Sequence, residues 1–315
     1  QPVQEPAGWL AEWKKAAAER RLSAADELLA EEIRVLGDVE AALADDQVAA
    51  VIAEPMQAEG GERYATPRFF RALRVLTELH GVPLIMDEVQ CGFHLGGPFF
   101  WHRLFDLPTP PDIVTCAKKA QVGVTLSRWP IPVKSEVQTA SAIRGLMYAE
   151  LLGDAEVTRV ALMDETMARL EQLSAKYPKS VLSPRMVGWS FGFDLPSPEA
   201  LNHLVNQRLW RGYMIYGAGD RGLRFRFHPE VLPVHVEALF QRLDASVADL
   251  EAGVPATWRP NETAGLVDLA PSWPQASEKR APGYRIQRIT VTEWPNVRAS
   301  YESLQKSVYE PARQD

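Results

Sequence analysis

The chain carries LIMDEVQCGF at residues 84–93 and DIVTCAKKAQVG at residues 112–123, two apolar runs that each lead into a charged residue. The first run ends at Asp87, and the second is followed by Lys118, thirty-one residues later. The segment between them has room for a loop, a short helix and a turn, which together make a plausible crossover between parallel strands. Because open α/β sheets bind ligands at the carboxyl ends of their strands, we expect both side chains at one ligand site.

An aspartate and a lysine in this arrangement are typical of a pyridoxal phosphate site. A carboxylate against the ring nitrogen keeps that nitrogen protonated, so the cofactor remains an effective electron sink, and a lysine amine holds the aldehyde as a Schiff base. Asp87 and Lys118 fit these two roles. Taken singly, Asp87 is better interpreted as an ordinary strand-end acid, and Lys118 with Lys119 as a solvated pair. The joint context of the two residues favours the cofactor site.

Several ordered motifs extend the pattern. From about residue 24 to residue 251 the chain resembles the later part of a class III, fold-type-I aminotransferase, and within that class it is most similar to the L-lysine 6-aminotransferases. The resemblance implies an α/β fold, with a truncated large domain built on a mostly parallel sheet and then an α+β small domain. It is carried by VAAVIAEPMQAEGG (48–61), DEVQ (87–90), KKAQV (118–122), RMVGWSFGFDLP (185–196) and GLRFRFHPE (222–230).

The resemblance implies roles for five residues. Lys118 matches the Schiff-base lysine, Asp87 the ring-nitrogen partner and Gln90 the neighbour of the cofactor's ring hydroxyl. Arg224 matches the arginine that binds the substrate carboxylate, a task that suits a guanidinium because its planar fork donates two parallel hydrogen bonds. Glu59 matches the acid that pairs with this arginine or releases it as substrates alternate. A surface strand arginine and a polar turn residue are the open alternatives for Arg224 and Glu59.

Two parts of the family's cofactor site have no counterpart in the sequence. Nothing before Val48 matches the glycine-rich phosphate cup or the ring-stacking aromatic, and the Thr-containing loop after the lysine is replaced by KSEVQTASAIRGL (134–146), which predicts a helix. Either the chain is a fragment, which Gln1 as the first residue favours, or it is a copy that has lost part of the site, which the missing loop favours. We therefore expect weak cofactor binding, because phosphate groups need preorganised N–H donors.

By this resemblance the activity is transfer of the terminal amine of lysine, or of a related ω-amino acid, to 2-oxoglutarate. The expected partners are a small amino acid, a 2-oxo acid and a second copy of the chain, since the family builds each site from two subunits. The alternative is a non-catalytic transaminase-like domain that serves as a dimerising scaffold for a C-terminal acetyltransferase.

The composition is that of a globular protein. Of its residues, 46% are hydrophobic and 24% charged. The length of 315 residues indicates about two domains. The net charge of −7 gives no sign of nucleic-acid binding. Neither a membrane span nor a signal peptide is recognisable, so we expect a cytoplasmic protein. Cys91 and Cys116 are expected to be reduced structural thiols, and Cys91 with His94 is too small a ligand set for a zinc site.

Periodicity and composition divide the chain into five parts. These are a helical lead-in (1–47), the later part of the large domain (48–133), interdomain helices and the small domain (134–251), a linker (252–283) and a possible further domain (284–315). The last part is weakly similar to the start of GNAT acetyltransferases, and an appended arm is the alternative. Helices are predicted near 24–46, 134–152, 155–176, 198–211 and 233–250, another from Pro67 to Gly81, and small-domain strands near 186–195, 213–216 and 222–227.

Overall fold

The computed structural model of the chain describes residues 27–45, 47–131, 139–153, 160–227 and 231–256. The possible further domain at 284–315 lies outside these residues, as do most of the predicted linker and the first part of the lead-in. In the part of the chain that the structure describes, no helix is long and apolar enough to cross a membrane.

The elements follow one another in the order expected for a large-domain segment and then a small domain. In chain order they are α1 (Glu27–Leu43), β1 (Val51–Ala53), β2 (Met56–Gln57), β3 (Arg63–Tyr64), α2 (Pro67–Leu79), β4 (Leu84–Glu88), β5 (Ile113–Cys116), β6 (Val124–Ser127), α3 (Thr139–Gly153), α4 (Val160–Lys176), β7 (Leu182–Val187), β8 (Ser190–Asp194), α5 (Pro198–Arg211), β9 (Tyr216–Ala218), β10 (Gly222–Arg226) and α6 (Pro233–Glu251). Short 3-10 helices lie at Trp101–Phe105 and Lys118–Ala120.

The first sheet has the strand order β1-β4-β5-β6. β1 pairs with β4, and β4 with β5, in parallel, whereas β6 pairs antiparallel with β5. The parallel register sets Asp87 beside Thr115. Because β1, β4 and β5 run in the same direction, their carboxyl ends meet at one edge, and that edge is the one predicted to carry the site.

The crossover between β4 and β5 contains the predicted short helix. Its first turn is held by Glu88, a fully buried acid whose carboxylate accepts hydrogen bonds from the backbone N–H groups of Trp101 at 2.6 Å and His102 at 2.8 Å. A carboxylate at a helix N-terminus satisfies donors that have no partner within the helix. Glu88 therefore ties the crossover to the strand that carries Asp87.

The helix predicted to begin at Pro67 is confirmed as α2. Thr66 caps it by accepting a hydrogen bond at Oγ1 from the N–H of Phe69 at 3.1 Å, and Pro67 takes the first position, where a missing N–H is harmless. The expected apolar face is buried, and the chain turns away at Gly81 with φ +64°.

The helical pattern of residues 24–46 predicts one apolar side, made of Leu28, Leu29, Ile33, Leu36 and Leu43, and this prediction is correct for three of the five. Leu29, Leu36 and Leu43 are buried and lie seven residues apart, so only a narrow stripe of α1 contacts the core. Ile33 is half-buried, and Leu28, also predicted on this face, is 56% exposed because it lies off the stripe. The stripe is completed instead by the buried acid Glu32, a residue that the sequence did not single out.

The small domain is built on an antiparallel sheet of order β7-β8-β10-β9. The single strand predicted at 186–195 is wrong in part: two strands are joined by a tight turn at Gly188, where φ is +58°. The strand predicted at 213–216 starts only at Tyr216, because β9 finds its partner opposite residues 222–224 of β10.

The two faces of the small-domain sheet differ in chemistry. One face carries the aromatic core, in which Phe191 and Phe225 stack with ring centroids 4.5 Å apart. Side chains alternate between faces along a strand, so Arg224 and Arg226 lie on the opposite face from Phe225. This second face receives the turn that contains Glu59 and Glu62.

Candidate functional site

Asp87 and Lys118 lie at the carboxyl ends of two neighbouring parallel strands. Asp87 is the fourth residue of β4, and its Oδ1 accepts hydrogen bonds from Thr115 Oγ1 at 3.2 Å and from the N–H of Val89 at 3.0 Å. Lys118 follows β5 after a single residue and begins a 3-10 turn. The two residues thus share the ligand-binding edge of the sheet, as the sequence predicted; their roles stay predictions.

Gln90 joins this pair. It lies in the turn after β4, and its Oε1 accepts a hydrogen bond from Lys118 Nζ at 2.5 Å. Lys118 itself is exposed, whereas Gln90 is half-buried. The bond orients the amine of Lys118 toward the end of β4, where Asp87 lies.

The backbone around Lys118 is held tightly. Ala120 donates its N–H to the carbonyl of Ala117 at 2.6 Å, and Gln121 takes a left-handed conformation, with φ +60°. Helix α3 packs onto this turn through Gly145, where a Cβ would lie 2.9 Å from the carbonyl oxygen of Ala120. The glycine allows the helix to approach closely, and the approach fixes the turn that presents Lys118.

Arg224 is buried, at 8% exposure, so the interpretation of this residue as a surface strand arginine is wrong. Its Nη2 donates to Glu59 Oε1 at 2.5 Å, and its guanidinium lies over the ring of Tyr216, with Cζ 5.8 Å from the centroid. Its Nη1 is buried and, among the described residues, is the one such side-chain atom without a hydrogen-bond partner. Buried donors are normally satisfied, so an unpaired guanidinium nitrogen points to an acceptor supplied by a ligand.

Glu59 connects the arginine to the lysine. Its side chain is 70% exposed. The hydrogen bond from Arg224 holds the pKa of Glu59 below its usual value against an opposing effect of burial, and the positive charges of Arg224, Lys118 and Arg226 add to the lowering. Glu59 therefore pairs directly with the arginine and lies within the electrostatic influence of the lysine.

The structure also reveals a buried acid that the sequence analysis missed. Glu62 is fully buried with φ +53°, and its two oxygens accept a bidentate pair of hydrogen bonds from Arg226, each at 2.6 Å. The hydroxyls of Tyr64 and Ser190 also donate to it. One signal was present in the sequence: LRFRF places Arg224 and Arg226 on one strand face, and two adjacent guanidinium groups require acidic partners.

A cavity of about 610 Å³ lies next to the site rather than at its centre. Residues of α1, β1, β3 and the start of α2 line it, and of the five candidate residues it reaches Asp87 alone. Its size suits a small molecule. The candidate site is accordingly defined by the contacts of its side chains and not by this cavity.

Cys91 and Cys116 are both buried and free. Burial raises the pKa of Cys116 to about 11, and burial together with nearby acids raises that of Cys91 further. A thiol with a raised pKa is protonated at neutral pH and a poor nucleophile. Among the described residues there is no group of three or more His, Cys, Asp or Glu side chains that could hold a metal ion.

Comparison with known proteins identifies the family. Residues 9–146 match the family model described as "Aminotransferase class-III". A 4-aminobutyrate aminotransferase of Dictyostelium discoideum is 33% identical over 215 residues, which are 64% of this chain and 43% of the relative. An L-lysine-epsilon aminotransferase of Mycobacterium bovis is 31% identical over 227 residues, which are 66% of this chain and 48% of the relative. The matched part of the chain belongs to the class III aminotransferases.

The solved structures agree with this assignment. A lysine aminotransferase from M. tuberculosis matches with a TM-score of 0.65 and 27% identity, over 73% of this chain and 56% of that one. The prediction of a partial fold-type-I aminotransferase fold is confirmed. The chain spans about half the length of the curated relatives that it matches.

Class III aminotransferases depend on pyridoxal phosphate, and the donor set of this chain fits the ring end of that cofactor. Asp87 offers an anion at the carboxyl end of β4, and Lys118 offers an amine whose orientation is set by Gln90. The buried Nη1 of Arg224 adds a donor without a partner among the described residues. An anion and an amine are the groups with which proteins hold the ring nitrogen and the aldehyde of this cofactor, and a guanidinium is suited to bind a carboxylate.

Proposed function

We propose that this chain is the lysine-bearing part of a pyridoxal-phosphate-dependent aminotransferase that moves the terminal amine of lysine, or of a related ω-amino acid, to 2-oxoglutarate. The observation that carries the proposal is the buried Nη1 of Arg224, which has no hydrogen-bond partner among the described residues, while Nη2 pairs with Glu59. This free donor supports a role in carboxylate binding, and the amine of Lys118 at the carboxyl end of β5 supports a role in amine chemistry.

When bound, the cofactor supplies an electron sink for bond cleavage at the substrate's amine-bearing carbon. Asp87 would hold the ring nitrogen and keep it protonated, and Thr115 fixes the Asp87 carboxylate through its hydroxyl. Lys118 would hold the aldehyde carbon through Nζ and carry a proton at that atom once the substrate has displaced it. Gln90, within hydrogen-bond distance of the amine, would lie beside the ring hydroxyl.

Arg224 and Glu59 would distinguish the two substrates. An ω-amino acid presents an amine at the reacting end and little negative charge near it, so the Glu59 carboxylate can remain on Arg224. A dicarboxylate such as 2-oxoglutarate brings a carboxylate that competes for the same guanidinium. The exposure of Glu59 allows it to move into solvent, and the unpaired Nη1 provides the second donor of a bidentate contact.

The choice of an ω-amine is supported by the relatives. One is named for 4-aminobutyrate and another for the epsilon amine of lysine, and in both compounds the amine lies at the end of the carbon chain. Lysine is the member of this class that we propose for this chain, because the lysine-type aminotransferases are similar to it in both sequence and structure.

We also propose that the complete protein acts as a homodimer. Helix α3, which packs on the lysine turn with one face, exposes Ile143, Leu146 and Met147 on another, at 52%, 72% and 49% exposure. These positions form one stripe of the helix, and an apolar stripe beside a site that the family completes with two subunits favours a second copy as its partner. Light scattering at increasing concentration tests this proposal. A cytoplasmic location stays a prediction from composition.

The test of the proposed function is covalent trapping. The chain is incubated with pyridoxal phosphate, reduced with borohydride, digested and mapped by mass spectrometry. We expect a pyridoxyl group on Lys118 and its loss in Lys118→Ala, whereas Lys119→Ala should keep the label. A label on Lys119 with Lys118 unmodified would overturn the assignment, and release of glutamate from lysine and 2-oxoglutarate tests the substrates separately.

A further inference from the structure

The turn at residues 58–62 is fixed to the small-domain sheet by its backbone. Gly219 donates its N–H to the carbonyl of Glu59 at 2.7 Å. Arg185 donates to the carbonyl of Gly61 and to that of Glu62, in both cases at 2.7 Å. The backbone of the turn is therefore held from two sides, while the side chain of Glu59 remains exposed.

The side chain of Glu62 is inserted against the sheet itself. Opposite Arg224 on β8 lies Gly192, and a Cβ at that position would come within 3.2 Å of Glu62 Cγ. The carboxylate that this glycine admits is fully buried and is paired with the guanidinium of Arg226 through two hydrogen bonds. A buried charge needs such a partner, so Glu62 and Arg226 require one another.

Arg224 and Arg226 are chemically equivalent, but they differ in how many of their terminal nitrogens are hydrogen-bonded to an acid. They lie two residues apart on the same face of β10, and both contribute positive charge at Glu59. Both terminal nitrogens of Arg226 donate to Glu62, whereas Arg224 gives only Nη2 to Glu59 and keeps Nη1 unpaired. The difference between the two arginines comes from Glu62.

We propose that Glu62 is a positioning residue that selects Arg224 as the carboxylate-binding arginine, because it occupies the guanidinium of Arg226 and fixes the turn that carries Glu59. This inference rests on the proposed function, since it takes carboxylate recognition by Arg224 as given. Glu62 is fully buried, so in this role it would act through its pair with Arg226 and through the turn that carries Glu59.

The test measures binding of glutarate, a dicarboxylate without an amine or keto group, to the full chain by calorimetry, so that no turnover is required. In the wild-type background R224Q should weaken glutarate binding about 10- to 100-fold, the effect of losing a charge-assisted contact. In the E62Q background Arg226 is free to take the carboxylate, and R224Q should weaken binding less than about threefold. Adding R226Q to E62Q should restore the full effect of R224Q.

Controls separate selection from a merely structural role. Y64F removes a neutral hydrogen bond to the same carboxylate but leaves the Glu62–Arg226 pair, so the effect of R224Q should be unchanged in that background. If E62Q does not fold, by near-ultraviolet circular dichroism, E62D takes its place, and the effect of R224Q should then be intermediate.

Two results would overturn the inference, and they differ. In the first, R224Q weakens glutarate binding equally in the wild-type and E62Q backgrounds, or R226Q does not restore its effect in the E62Q background. Glu62 would then have no selecting role, and the proposed function would remain intact. If R224Q failed to weaken glutarate binding in the wild-type background, the carboxylate role of Arg224 would itself be wrong, and the role of Glu62 with it.

Discussion

Arg224 donates to Glu59 from Nη2 at 2.5 Å, although the two residues are 165 positions apart, while its buried Nη1 finds no partner in the described part of the chain. The ion pair is asymmetric in exposure: the arginine side chain is 9% exposed and the glutamate 70%. The buried partner is fixed by the sheet, and the exposed one can move into solvent when another carboxylate takes its place on the guanidinium. The pair thus combines a fixed receptor for carboxylates with a displaceable counter-ion.

Removing the counter-ion should strengthen carboxylate binding. In Glu59→Gln the guanidinium of Arg224 no longer pairs with an internal carboxylate, and glutarate should bind about 2- to 10-fold more tightly, since it no longer competes with Glu59 for that hydrogen bond. Calorimetric titration measures the change. Glu31→Gln removes an exposed acid that pairs with Arg34 on α1 and should leave glutarate binding unchanged. Weaker binding in Glu59→Gln would contradict this interpretation of the pair.

The contact between α3 and the turn at Lys118 should determine whether a glycine substitution stabilises or destabilises the protein. Gly145→Ala would place Cβ 2.7 Å from Val122 Cγ1 and 2.9 Å from the carbonyl oxygen of Ala120, so it should destabilise the protein by about 1–3 kcal/mol. Gly37→Ala in α1 meets nothing within 4 Å and should stabilise by about 0.5–1 kcal/mol, as is usual for alanine in a helix. Urea unfolding compares the two. A stabilising Gly145→Ala would mean that α3 does not rest on this turn.

The positions of Asp87 and Lys118 could be predicted because one lies at the end of an apolar run and the other just after one, and strand ends can be read from such runs. Gln90 is indicated only by the resemblance to the family. The pair of Arg226 with Glu62 could not be predicted, because its members are 164 residues apart and meet only once the turn at 58–62 has docked on the second sheet. Periodicity describes a residue's own element, not its distant partners. The same limit explains Leu28, which fits the helical pattern of α1 but lies outside the stripe that finds a partner.

The anion at the end of β4 should control cofactor affinity. Asp87→Asn keeps the shape but removes the charge, and it should weaken binding of pyridoxal phosphate about 10- to 100-fold, the effect of losing a charge-assisted hydrogen bond. Thr115→Val removes only the hydroxyl that donates to Asp87, so a loss of about 2- to 10-fold is expected. Titration followed by visible absorption gives both values. The order of the two effects is the critical outcome, since a larger loss in Thr115→Val would place the ring nitrogen elsewhere.

Asp112 should be the main acid-sensitive residue of the large-domain core. It is 5% exposed and accepts hydrogen bonds from Arg74 at 2.7 Å, Arg128 at 2.8 Å and the N–H of Leu84 at 2.9 Å. Burial alone raises the pKa of Asp112, but these three donors outweigh it and hold the pKa below its usual 3.8. Because the pKa is lowered in the folded state, the stabilisation is fully present above the unfolded value and is lost as the pH falls through the folded one.

Asp112→Asn should therefore destabilise the protein by about 1.5–3 kcal/mol at pH 7, since it removes the charge that accepts hydrogen bonds from Arg74 and Arg128, while Arg74 keeps Glu78 as a charged partner. The difference in free energy of unfolding between Asp112→Asn and wild type should stay constant from neutral pH down to about one unit above the usual pKa of an aspartate. It should narrow below that pKa, because the wild-type carboxylate also becomes protonated. Asp106→Asn is the matched control, because its acid pairs with Arg71 at the surface with 90% exposure and should contribute less than about 1 kcal/mol. Urea unfolding across this pH range tests the lowered pKa of Asp112. If the difference in free energy of unfolding widened on acidification, the pKa of Asp112 would have to be raised rather than lowered.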